Sequence, residues 1–136
     1  MQNPPLGQVA KSSTGLDENI AALLSYILGW VSGLIFFLIE KDSKFVRFHA
    51  MQSILFNVVV GVVLVVLSIV ASILVVIAAQ LSGALGSLIG LLVTLFWVVV
   101  SLGLLIAWIL CLVRAYQGKF FKLPVIGNLA EKIVNR

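Results

Sequence analysis

The side chains able to do chemistry are few and widely spaced. His49 is the single histidine and Cys111 the single cysteine of a chain of 136 residues. With Met51 close to His49 they supply soft donors of the kind that suit copper. One donor of each type without ligand-like spacing fits interface and core residues better, so no metal and no cofactor are expected. A nucleophilic triad or a zinc set would need more members. Between Arg47 and Arg114 no residue carries a formal charge, which leaves paired carboxylates and proton relays without members inside that stretch. The pairs Gly29/Gly33 and Gly86/Gly90 lie in apolar sequence where helix packing explains them, and no phosphate loop or dinucleotide fingerprint is present. An enzyme is not expected. Asn57 is the strongly polar side chain placed deepest in apolar sequence, and such a group either bonds to a neighbouring helix or lines a wet path. Glu40 and Arg114 end helices on one side and could meet in a surface pair of little energetic weight.

The elements that must position these residues follow from composition. Hydrophobic residues make up 62% of the chain and charged residues 10%, far from the roughly 25% charged composition of soluble domains. Mean hydropathy is +1.21. Backbone amides in hydrocarbon must be bonded within their own segment, and about 20 residues of helix cross a core of about 30 Å. The expected fold is therefore all-α, an integral membrane bundle of three transmembrane helices followed by a C-terminal amphipathic surface helix.

The first span covers residues 20–39 and begins after Thr14 and Asp17, which match a capping box, with Asp17 and Glu18 where the helix dipole favours anions. The long uncharged stretch exceeds one crossing. Its one cluster of turn formers, Gln80 to Ser87, divides it into spans over residues 45–79 and 88–116. Residues 124–134 are too short and too polar to span. Ile126, Leu129, Ala130 and Ile133 share a face there, and Pro124 suits a first turn, so the segment reads as an amphipathic helix on the membrane surface. The polar residues 1–18 read as a disordered tail rather than a signal peptide, and residues 19–136 as the membrane domain.

Lys and Arg near the ends of spans are retained in the cytoplasm. Lys41, Lys44 and Arg47 in the first loop and Arg114, Lys119, Lys122, Lys132 and Arg136 in the tail share a side if three spans are present, whereas the opposite side holds Lys11 alone. The expected location is the plasma (cell inner) membrane, with the N-terminus outside and the C-terminus cytoplasmic. The net charge of +4 is read as topology-determining charge that attracts anionic lipid rather than nucleic acid. Lys119, Phe120, Phe121, Lys122 and Lys132 are the candidates for that lipid surface, the phenylalanines as an interfacial anchor.

In lipid, small and weakly polar residues at four-residue spacing mark helix faces that touch protein. The first span carries Ser25, Gly29 and Gly33, the second His49, Ser53, Asn57 and Gly61, and the third Gly86, Gly90 and Thr94. These stripes either pack the bundle internally or contact a second copy or another membrane protein. Three helices enclose little interior, which makes a homo-oligomer a reasonable expectation.

Some runs are more particular than composition demands. Leu24 to Trp30, Glu40 to Asp42, Arg47 to Ser53, Ala115 to Gly118 and Leu123 to Ala130 resemble a widespread prokaryotic family of uncharacterised small membrane proteins. That family is grouped with the chloroplast inner-envelope translocon channel component and includes magnetosome membrane proteins. The resemblance covers about residues 19 to 132, and its most specific motif is Phe48 to Ser53. It implies a helical membrane fold and marks His49, Gln52, Gly118, Pro124 and Gly127 as signature positions. Two functions are then in view: a self-associating structural or accessory membrane component, or a pore or transport component formed as an oligomer, with Asn57, Ser53 and His49 along its path.

Overall fold

The computed structural model describes residues 10–136, and five helices account for most of them: α1 Glu18–Ile27, α2 Trp30–Ile39, α3 Lys44–Leu81, α4 Gly83–Tyr116 and α5 Ile126–Val134. The chain divides into two compact units. The first takes the residues up to Val59 together with Trp108–Arg136, and the second is Val60–Ala107.

Within the first unit, the helix expected across residues 20–39 is broken in two. Gly29 has φ 60° and ψ −130°, a conformation that essentially only glycine adopts without strain, and the chain reverses there into two ten-residue helices. A single continuous helix over this segment is thus not formed. Each limb is about 15 Å long at 1.5 Å per residue, half of a hydrocarbon core. The far ends of the pair return to each other: the Ser13 amide donates to both carboxylate oxygens of Glu40 at 3.1 and 3.0 Å, and the Ser13 hydroxyl oxygen lies 2.8 Å from Asp42 Oδ2.

The polar groups freed by the break are bonded locally. Ser32 donates to the Ser25 carbonyl at 3.0 Å and accepts from the Leu28 amide at 3.1 Å. Trp108 Nε1 on α4 donates to the Tyr26 carbonyl at 3.1 Å, and the Ser53 hydroxyl on α3 to the Gly29 carbonyl at 3.0 Å. A backbone reversal at membrane depth requires such partners, because unbonded amides in an apolar medium cost several kcal/mol each, on the order of a lost buried hydrogen bond or more.

Of the expected tail, residues 1–9 lie outside the described residues, while residues 10–17 form a turn. It is closed by a Lys11–Asp17 ion pair of 2.6 Å and by the Glu18 amide donating to the Ala10 carbonyl at 3.0 Å. Asp17 is the residue before α1 but its side chain makes no capping bond, and Thr14 is bonded to Ser12, so the expected capping box is absent.

The second unit is a helical hairpin. α3 and α4 are the two helices long and apolar enough to cross a membrane, and they meet at Ser82, inside the cluster of turn formers. Gly86 lies so close to α3 that an added Cβ would come within 2.7 Å of Ala79. Elsewhere the hairpin presents exposed Val, Leu and Ile, as contact with lipid requires.

Back in the first unit, α4 ends in a Schellman motif: Gly118 takes φ 69°, its amide donates to the Ala115 carbonyl, and the Lys119 amide reaches the Arg114 carbonyl, both at 3.0 Å. The following segment runs back along the head of α3. A tight turn at Val125, with φ 66° and the Ile126 amide donating to the Pro124 carbonyl at 2.7 Å, then starts α5.

Candidate functional site

The first unit gathers nearly every distinctive side chain of the sequence into one buried polar cluster. α3 contributes His49, Gln52 and Ser53, all with no exposed surface. They lie on adjoining positions because His49 and Ser53 are one turn apart on a face that Gln52 borders. α1 supplies Tyr26, α4 supplies Cys111, and the segment after α4 supplies backbone groups.

The bonds run in one direction. His49 Nε2 faces the Lys119 carbonyl at 3.1 Å, and since a carbonyl can only accept, the proton sits on Nε2. His49 Nδ1 is left as the acceptor for the Tyr26 hydroxyl at 3.0 Å. That hydroxyl oxygen in turn accepts from Gln52 Nε2 at 3.1 Å. The second Gln52 amide hydrogen goes to the Phe121 carbonyl at 3.0 Å, and Gln52 Oε1 accepts from the Leu123 amide at 3.2 Å. Gln52 thus takes the place of a second backbone strand beside residues 121–123. The approach leaves no room for a side chain at Gly127, where a Cβ would fall 2.6 Å from Lys122 and 2.8 Å from Gln52 Oε1.

Around this network the aromatic rings close edge to face. Phe45 and Phe48 flank His49 at 4.6 and 5.1 Å between centroids, and Phe120 packs on Phe45 at 5.0 Å. The motif Phe48 to Ser53 therefore holds three separate pieces of chain: α1 through Tyr26, the break between α1 and α2 through the Gly29 carbonyl, and the C-terminal segment through Lys119, Phe121 and Leu123. Among the described residues no buried side-chain nitrogen or oxygen lacks a partner.

A second knot is built on Glu40, which is also fully buried. Burial alone would raise its pKa, but the amides of Ser43, Ser13 and Asp42 and the Ser13 hydroxyl all donate to the carboxylate and hold it below the ordinary glutamate value. Arg47 bonds the Glu40 carbonyl at 2.8 Å and lies over the Phe37 ring, while Arg114 lies over Phe121, so the pairing considered for Glu40 and Arg114 is not made.

The stripe residues divide by role. Ser25, Gly29 and Gly33 pack inward, and a Cβ at Gly33 would meet the Ala50 carbonyl at 2.9 Å. Asn57 is only half-buried: it bonds the Ser53 carbonyl of its own helix at 2.9 Å and rests against Gly29, so Gln52 and His49 are the deeper polar groups. Gly86 is filled by Ala79, whereas Gly61 and Gly90 face open space and Thr94 bonds only back to the Gly90 carbonyl at 2.9 Å. Of the surface candidates, Phe120 is half-exposed, Lys122 pairs with Glu131 at 2.7 Å, and Phe121 serves through its carbonyl. Tyr26, Trp108 and Ser13 were not singled out by sequence as partners. The signal for Tyr26 was its place in the run Leu24 to Trp30. His49 and Cys111 share Tyr26 and Gln52 as neighbours, and among the described residues no three of His, Cys, Asp and Glu come together as metal ligands.

Comparison with known proteins agrees with the uncharacterised-family resemblance. Residues 16–130 match the model of the magnetosome magnetite crystal formation protein family. A UPF0132 membrane protein of Methanocaldococcus jannaschii is 39% identical over 91% of this chain and 94% of its own length. A second, from Archaeoglobus fulgidus, is 36% identical over 86% of this chain and 95% of its own. No solved structure matches the chain. The matched range takes in the Gly29 reversal, the Glu40 knot and the His49–Gln52 cluster, and the chain belongs to the magnetosome magnetite crystal formation protein family.

Proposed function

We propose that the chain is a structural or accessory component of the cytoplasmic membrane, that it self-associates through the second unit, and that both ends of the chain face the cytoplasm. Sidedness is supported by the first unit. Ser13 lies against Glu40, Asn19 Nδ2 donates to the Tyr116 carbonyl at 3.1 Å, and His49 donates to the Lys119 carbonyl, so the starts and ends of the membrane segments gather in one place. α1 and α2 are then a re-entrant pair, and α3 and α4 are the two crossings. All nine Lys and Arg belong to the first unit and none to the second, an asymmetry that retains the first unit in the cytoplasm.

The observation that carries self-association is the contrast along one face of α4. Gly86 is packed against Ala79, while Gly90 meets nothing within 4 Å and Thr94 is exposed. Small residues left open in an apolar helix permit the close approach of another helix. The polar groups of the first unit, by contrast, are already bonded to one another, which fits a scaffold held rigid for its own sake. Membrane residence is supported by the relatives, which are named membrane proteins.

Photo-crosslinking in native membranes tests the reading. A reactive group at Thr94 is expected to capture a second copy, and one at Gly33 to react within its own chain. Capture of a different protein at Thr94 makes this an accessory subunit, and flux through liposomes holding the captured oligomer would replace the scaffold with a pore. Absence of any capture at Thr94 would sink self-association through this face.

A further inference from the structure

We infer that a pocket of the first unit, between the first turn of α3 and α5, binds the phosphate headgroup of an anionic phospholipid. The pocket has a volume of about 350 Å3, and its lining includes Lys44, Phe48, Phe120, Lys122, Glu131 and Asn135. Both cations of the pocket are open to a ligand. Lys44 is exposed and makes no ion pair among the described residues. Lys122 is held only by Glu131 at 2.7 Å, with both side chains about two-fifths exposed, and such a pair is readily exchanged for a phosphate.

The chemistry of the lining selects the ligand. Two ammonium groups suit a phosphate oxygen through charge-assisted bonds, and the Asn135 amide supplies a neutral donor. Phe48 and Phe120, 5.4 Å apart between ring centroids, make an apolar wall that a free inorganic anion would not use but a glyceride would. The depth fits as well: Lys44 is the first residue of α3, where the charged loop gives way to apolar helix, the level at which headgroups lie. Glu131 opposes the phosphate. It acts as an internal competitor that keeps Lys122 occupied until lipid arrives.

The inference rests on the proposed placement of the first unit at the anionic leaflet, but its test does not depend on sidedness or self-association. The full chain, purified in micelles, is titrated with phosphatidylglycerol, phosphatidylcholine or inorganic phosphate, and lipid retained per chain is counted by native mass spectrometry. Phosphatidylglycerol should be retained in preference to phosphatidylcholine. Lys44→Gln should lower that retention about fivefold to tenfold, the effect of one surface cation near phosphate. Glu131→Gln should raise it. Lys44 has no bond to lose, so its variant keeps the fold, which an unchanged melting temperature verifies. Equal retention in Lys44→Gln and wild type, weaker retention in Glu131→Gln, or full displacement of lipid by inorganic phosphate would each overturn the assignment.

Discussion

At the scale of single residues, the fold of the first unit depends on side chains that substitute for backbone partners. Gln52 bonds the Phe121 carbonyl, the Leu123 amide and the Tyr26 hydroxyl together. Leucine at this position would match its volume and satisfy none of them, leaving buried donors and acceptors alone at about 1–3 kcal/mol each. Gln52→Leu is therefore expected to lower stability by about 3 kcal/mol and to speed hydrogen exchange at the Leu123 amide, measured in micelles. Unchanged exchange there would mean that the segment is held by something else. Glu40 gives a different signature, because its carboxylate is bonded while charged. Its folded pKa lies below the ordinary value of 4.5, so its contribution is fully present above that pH and is lost as pH falls through the lowered folded value. Glu40→Gln should be less stable than wild type at neutral pH, and the gap should narrow in acid as wild type loses its advantage. Thermal melts across that range measure it, and a gap that holds constant into acid would contradict the account. Gln52 and His49 were readable in the sequence as motif positions, but what they touch was not. Their partners are backbone groups about seventy positions away, to which no residue type corresponds.

At the scale of elements, the long helices were legible and the short ones were not. Sustained hydropathy with one turn cluster specifies α3 and α4, since about 20 apolar residues without charge have few alternatives. Residues 20–39 are apolar and uncharged as well, yet the chain reverses at Gly29. Composition reads the burial of a segment and is blind to its direction, and a glycine in an apolar run serves packing and reversal equally well. Ser25 was visible as part of a small-residue stripe and Ser32 was not singled out, while the bond between them depends on the reversal itself. The two uses of Gly29 can be separated. Gly29→Ala adds backbone strain of about 1–3 kcal/mol at φ 60° and places a methyl 2.9 Å from Asn57 Oδ1. Asn57→Ala removes the clash and leaves the strain. In a double-mutant cycle, Asn57→Ala should recover part of the loss and not all of it. Full recovery would show that the backbone at this position is ordinary, and a continuous helix over the segment would return as the better description.

At the scale of the whole molecule, the proposed arrangement, with the reversal at Gly29, puts both ends of the chain on one side of the membrane. A straight helix over residues 20–39 would put Lys11 opposite Lys41, separated by about 30 Å of hydrocarbon. The hydrogen bonds from Ser13 to Glu40 and Asp42 join the two regions instead. Charge argues the same way: with three crossings one cation, Lys11, sits on the translocated side, and with two crossings no Lys or Arg does. Single cysteines at Lys11, Ser82 and Asn135, in a Cys111→Ala background, distinguish the two arrangements when intact cells are treated with an impermeant maleimide. Cys111 is itself buried, so its removal is a precaution against slow background labelling. Lys11 and Asn135 should react only after lysis and Ser82 before it. Labelling of Lys11 together with Ser82 in intact cells would mean that the first segment crosses in the membrane. The Ser13–Glu40 contact would then have to break, and acid or Glu40→Gln, which weaken that contact, should increase the fraction of chains in the crossed form.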